Sequence, residues 1–133
     1  GDIVFARTGA SVGKTYLYNK NDGELVFAGF LIKASVNEAS YSAKIIQLFT
    51  QTQKYWNWIA MNSMRSGQPG VNGNELSSLQ LALPSDKREQ DEITKIVSTC
   101  EDEIFALEEK LKKYKKVKDG MMQTLLTGEI RLE

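Results

Sequence analysis

The chain has 133 residues, with 17 Lys or Arg balanced by 17 Asp or Glu, no histidine and one cysteine. That length suits one compact domain, or a small domain with an extension, and an apolar fraction of 41% is too high for a disordered chain. The missing histidine excludes Ser-His-Asp and Cys-His catalysis and His-metal sites, while the lone Cys100 excludes an internal disulfide and a multi-Cys zinc site. In chain order, Asp2–Ala6 and Thr15–Asn19 read as short strands around a Gly-bearing loop. Asn21-Asp22-Gly23 is a turn signal. Leu25–Ala34 reads as a mostly buried strand, with Gly29 at a bulge or close backbone approach. From Ser40 to about Asn62, residues Ile45, Leu48, Phe49, Thr52, Trp56, Ile59 and Ala60 share one face of a helix. That phase puts Trp56 in the core and Trp58 on another face, where it could stack on an unpaired base. A polar, Gly-rich loop runs from Ser63 to Asn74. Leu79, Leu81 and Leu83 then alternate with smaller or polar residues, as in a half-buried strand ending at Pro84.

Asp86, with Glu89 three residues on, resembles a capping arrangement for a helix from about Lys87 to Leu126, which spans roughly 60 Å. Its apolar residues form two stripes that each advance by seven. One is Ile93, Cys100, Leu107, Tyr114 and Met121; the other is Val97, Ile104, Leu111, Lys118 and Leu125. A strict seven-residue repeat keeps a narrow seam facing a partner helix, the signature of a coiled coil. Cys100 reads as a small buried hydrophobe of that seam, and Lys118 as a polar group selecting register or partner. The lysines from Lys110 to Lys118 read as a solvated face, with a second DNA-backbone contact as the alternative. Gly120 marks a kink or a close helix approach, and Thr127-Gly128 a stop. The expected fold is α+β: a small domain over 1–85 with a mostly antiparallel sheet and one packed helix, then a long coiled-coil helix and tail over 86–133.

The loop from Arg7 to Thr15 invites comparison with a nucleotide-binding P-loop, but Gly9 and Gly13 enclose three residues where four are needed. Thr15 also opens a strand rather than a helix that could hold phosphate. The loop still has phosphate-binding chemistry: Arg7, Thr8, Ser11, Lys14 and Thr15 can reach phosphate oxygens, and Gly9 and Gly13 expose backbone N–H groups. In the second loop, Arg65, Gln68 and Asn72 are types that read base edges, Arg pairing with guanine and Asn or Gln with adenine. The plain alternatives are a Gly-rich hairpin connection and a solvated connector. Charge does not decide: residues 1–86 hold seven basic against six acidic residues, and residues 87–133 ten against eleven. Glu108-Glu109-Lys110 contains an acid-x-Lys triplet by chance. No leader or membrane-crossing run is evident, so the chain is expected in the cytoplasm. The opening Gly1-Asp2 suggests a piece of a longer chain.

Taken together, Gly1-Asp2-Ile3, Arg7-Thr8-Gly9-Ala10, Val12-Gly13-Lys14 and Phe30-Leu31-Ile32 resemble a segment of the target recognition domains in specificity subunits of type I restriction-modification enzymes. Leu83-Pro84, Glu89-Gln90 and Ile93 resemble the start of that family's spacer helix. Lys118-Asp119-Gly120-Met121-Met122-Gln123 and Leu125 to Leu132 resemble its C-terminal signature. The resemblance implies a non-catalytic chain without cofactor or metal that reads half of a bipartite sequence in double-stranded DNA. It implies methyltransferase subunits docked through the spacer helix as partners, with a restriction subunit joining that core. The apolar stripes are expected to be covered by a second copy (a homodimer) or by the second helix of a full-length subunit. The alternative is a protein-interaction module acting mainly through its helix.

Overall fold

The computed structural model describes residues 1–131, and the chain divides into two units, Gly1–Thr94 and Lys95 onward. In the first unit, β1 (Asp2–Ala6) alternates as its sequence dictates: Ile3 and Phe5 are buried, and Asp2, Val4 and Ala6 face the other way. It is the central strand of an antiparallel sheet ordered β2-β1-β3. Phe5 stands opposite Thr15 of β2 (Thr15–Leu17) and Ile32 of β3 (Leu31–Ser35). The inner face packs on Phe49, Tyr55, Ile59 and Val71, each large apolar side chain contributing about 1.5–3 kcal/mol by leaving water.

The single helix expected over 40–62 is two. Helix α1 covers Ala43–Phe49 and α2 covers Gln53–Asn62. Thr50 and Thr52 donate their hydroxyls back to the carbonyls of Gln47 and Phe49, at 2.6 and 2.7 Å. Such side-chain bonds compete with helix continuation, and Thr52 also accepts the Tyr55 N–H as the N-cap of α2. The break resets the helical phase. Tyr55 and Ile59 are buried, Trp58 packs against the core, and Trp56 and Ala60 lie outside it. The two tryptophans therefore exchange their expected places.

Two expected strands also differ. Over 25–34 only Leu31 onward is strand, because β1 ends at Ala6 opposite Leu31 and leaves nothing to pair the earlier residues. Val26 is consequently 99% exposed and Phe30 73%. The stretch 79–83 forms no strand. A short helix α3 (Gly73–Ser77) precedes it, and Leu76, Leu79 and Leu83 pack on the core while Leu81 stays exposed. The spacing that matters there is three and four, not two.

The long helix α4 (Lys87–Leu126) starts where Asp86 accepts the Arg88 N–H at 2.8 Å. Its buried residue is Gln90, with no exposed surface. Gln90 accepts the Ser42 N–H at 2.9 Å and donates to the Pro84 carbonyl at 2.8 Å, both within the first unit. In the second unit the helix runs unbroken through Gly120, where an added Cβ would meet nothing within 4 Å. It ends at Gly128 with φ 76°, the Ile130 N–H closing back on the Thr124 carbonyl. Cys100, Ile104, Leu107, Leu111, Tyr114 and Met121 of the expected seam are exposed, Leu111 by 54%. Leu132, the end of the expected C-terminal signature, lies outside the described residues. No helix among the described residues is long and apolar enough to cross a membrane.

Candidate nucleic-acid interface

The first polar loop leaves β1 at Ala6 and returns at Lys14, where the Ala6 N–H donates to the Lys14 carbonyl and the Gly13 N–H to that of Ala6. Two of its glycines are required by geometry. Gly9 and Gly13 have φ of 74° and 84°, in the region side chains disfavour. A Cβ at Gly9 would stand 2.7 Å from Gln68 Nε2, and one at Gly13 would stand 2.9 Å from Ile59. Tyr55 fixes the same turn from below, donating its hydroxyl to the Gly13 carbonyl at 2.7 Å. Burial pushes that hydroxyl well above its ordinary pKa, so it stays a proton donor.

Chain folding brings the second polar loop, residues 63–72, directly against the first. The Gly9 N–H donates to the Pro69 carbonyl at 2.9 Å and the Val71 N–H to the Arg7 carbonyl at 2.8 Å, while Thr8 and Gly70 form an antiparallel bridge. Arg7, Thr8, Arg65, Gln68 and Asn72 consequently line one open depression of about 290 Å³. Five of the nine expected DNA-binding residues thus meet at one place, with Gly9 beside them. A family model described as the type I restriction modification DNA specificity domain matches residues 1–117.

The chain belongs to that family. No curated protein and no solved structure matches it. Both polar loops of the specificity domain, its depression and Gln90 lie inside the matched residues.

Within the depression the side chains have different freedom. Arg65 is engaged: Nη1 donates to the carbonyls of Asn62 and Met64, and Nη2 pairs with Glu75. Asn72 is engaged as well, its Oδ1 accepting the Glu75 N–H at 2.9 Å while Glu75 Oε2 accepts the Asn72 N–H at 2.8 Å. This capping box starts α3. Gln68 makes no side-chain hydrogen bond among the described residues. Arg7 Nε is buried and has no hydrogen-bond partner among the described residues, an uncompensated polar atom beside the depression. Arg7, Thr8 and Gln68 are thus the groups available to a ligand, and Arg65 and Asn72 shape the wall.

The Asn72 N–H, followed by the Arg65 guanidinium, holds the Glu75 carboxyl below its usual pKa. With the folded value depressed, this pairing contributes above the ordinary carboxylate range and weakens as pH falls through the lowered value.

The remaining phosphate candidates of the specificity domain lie elsewhere. Ser11, Lys14 and Thr15 line a groove of about 890 Å³ on the outward face of the sheet, with Val4, Tyr16 and Phe27. The Thr15 hydroxyl is engaged with that of Thr50 at 2.6 Å. The glycine N–H groups expected to face phosphate are both bonded within the protein, Gly9 to Pro69 and Gly13 to Ala6. That corrects the expectation of a backbone phosphate cradle at the two glycines. Two residues escaped the sequence reading. Glu75 had a legible signal, the Asn-x-x-Glu spacing of a capping box. Gln90 had none beyond its place in the family-like Glu89-Gln90 pair. Among the described residues no group of three or more Cys, Asp or Glu is placed to hold a metal ion.

Proposed function

We propose that this specificity domain reads one half of a bipartite duplex target through the depression between its two polar loops. The observation that carries it is the zipping of loops distant in sequence, which gathers the side chains of Arg7, Thr8 and Gln68 around one depression. Phosphate contacts set register and base contacts specify. Arg7, Thr8, Ser11 and Lys14 fit the first role. Gln68, whose amide can pair with both polar atoms of an adenine edge, fits the second.

The chain itself is read as non-catalytic, acting in the cytoplasm beside methyltransferase and restriction subunits. Its recognition module covers 1–85 and its spacer 86–133. The spacer helix carries an exposed apolar seam, which a second helix covers, either from another copy or from the same full-length subunit. Fixing that helix fixes the distance between the two half-sites. The exposure of Leu107, Leu111 and Tyr114 also supports a second reading, a module that works mainly by docking proteins.

Salt-titrated duplex binding by the assembled complex tests the phosphate assignments. Neutralising one phosphate fewer lowers the slope of log K against log salt by about 0.9. Arg7→Ala and Lys14→Ala are each expected to flatten the slope by that amount and weaken binding on every sequence. An unchanged slope removes that residue from the interface. No duplex binding by the intact assembly favours the docking reading.

A further inference from the structure

We propose that Glu75 is a positioning residue for base recognition, a role that rests on Gln68 reading a base: its carboxylate sets where the second loop presents Gln68. Glu75 does not line the depression. It acts on two residues that do. One carboxylate oxygen pairs with the Arg65 guanidinium and the other accepts the Asn72 N–H. Arg65 in turn bonds the carbonyls of Asn62 and Met64 at 3.3 and 3.1 Å. One charged group therefore joins the end of α2, the start of the loop and the cap of α3. Charge-assisted bonds of this kind are roughly twice as strong as neutral ones and fix geometry as well as distance.

Between these anchors the backbone is tied at Pro69, by the Gly9 N–H, and at Gly70, whose N–H donates to the Ser63 carbonyl, whereas Ser66, Gly67 and Gln68 make no backbone hydrogen bond of this kind among the described residues. Gly67 has no neighbour within 4 Å of where a Cβ would lie, and Arg65, Ser66, Gly67 and Gln68 are exposed. The Gln68 amide reaches to within 2.7 Å of where a Cβ of Gly9 would lie. A base contact demands placement within a fraction of an ångström, so the Glu75 clasp supplies what the glycine-rich tip lacks. Pairing Arg65 with Glu75 also withholds its charge from phosphates, keeping Gln68 rather than Arg65 at the base edge.

The test measures specificity ratios in the full assembled complex: binding to the selected duplex over binding to single-base variants. The variants are Gln68→Ala, Glu75→Gln, Glu75→Ala and the double variant Q68A/E75Q. Glu75→Gln retains an acceptor for the Asn72 N–H and so preserves the cap. At the base pair where Gln68→Ala acts, Glu75→Ala is expected to lower the ratio about tenfold, the scale of one good base contact. Glu75→Gln is expected to lose less, and to add nothing in the Q68A background. An unchanged ratio in both Glu75 variants, with Gln68→Ala still active, overturns the positioning role alone. Equal loss on all duplexes with the ratio intact overturns it too, as a purely structural effect. If Gln68→Ala leaves every ratio unchanged, base reading by Gln68 fails and the positioning role falls with it. Should Glu75→Ala not fold, Glu75→Gln and its cycle with Gln68→Ala decide.

Discussion

Replacing Gln90 with leucine is expected to destabilise the recognition unit by about 1–3 kcal/mol, because two partly buried backbone groups are left without partners. Those groups are the Ser42 N–H at the start of α1 and the Pro84 carbonyl before α4, and Gln90 meets both with no exposed surface of its own. A glutamine suits the position because one amide carries both an acceptor and a donor. Glutamate keeps the acceptor for Ser42 but cannot donate to Pro84 when ionised, and it buries a charge. Gln90→Glu is therefore expected to be at least as damaging at neutral pH and to recover partly in acid. Urea unfolding followed by tryptophan fluorescence, to which Trp58 packed against the core contributes, gives the measurement. A loss below about 0.5 kcal/mol, the scale of an ordinary surface change, would contradict the role given to Gln90.

A glutamate in the helix seam is expected to act on association rather than on folding of the recognition unit. Leu111 is 54% exposed in the single chain and lies midway along the two stripes. Covering a leucine contributes about 1.5–3 kcal/mol, counted once per helix in a symmetric pair, and an unpaired carboxylate there adds a desolvation cost. Leu111→Glu is thus expected to weaken helix pairing by at least about 100-fold, since 1.4 kcal/mol is a factor of ten. Lys118→Leu, at a seam position now held by an ammonium group, is expected to strengthen pairing and relax register. Sedimentation equilibrium over a concentration series reads both. Leu111→Glu associating like the unsubstituted chain would show that the stripe is not the pairing surface.

Local pattern carried the parts of the fold that depend on neighbours in sequence. The period-two alternation of Ile3 and Phe5 identified β1, and the repeat from Ile93 to Leu125 identified α4, ended at Gly128. The pattern misled where a side chain competes with the backbone. Nothing in the spacing of Ile45, Phe49 and Trp56 announces that Thr50 and Thr52 bond backwards and split the helix. It misled again where a strand depends on its partner's length, as for Leu25, Val26 and Phe27 beyond the end of β1. The candidate site was legible as residue types but not as a geometry. Arg65 and Asn72 have base-reading chemistry, yet folding commits both to Glu75. Nonlocal backbone pairing between the loops, at Thr8 and Gly70 and on either side of them, brings Gln68 beside Arg7.

The measurement that bears most directly on sequence reading by the loop depression is selection from a randomised duplex pool by the assembled complex, with and without Gln68→Ala. The unsubstituted complex is expected to enrich a defined half-site. Gln68→Ala is expected to lose preference at one base pair of that half-site, an adenine-containing one, while the remaining positions keep theirs. Enrichment identical in the two complexes would contradict base reading by Gln68, and the absence of any enriched half-site would contradict sequence recognition by this chain.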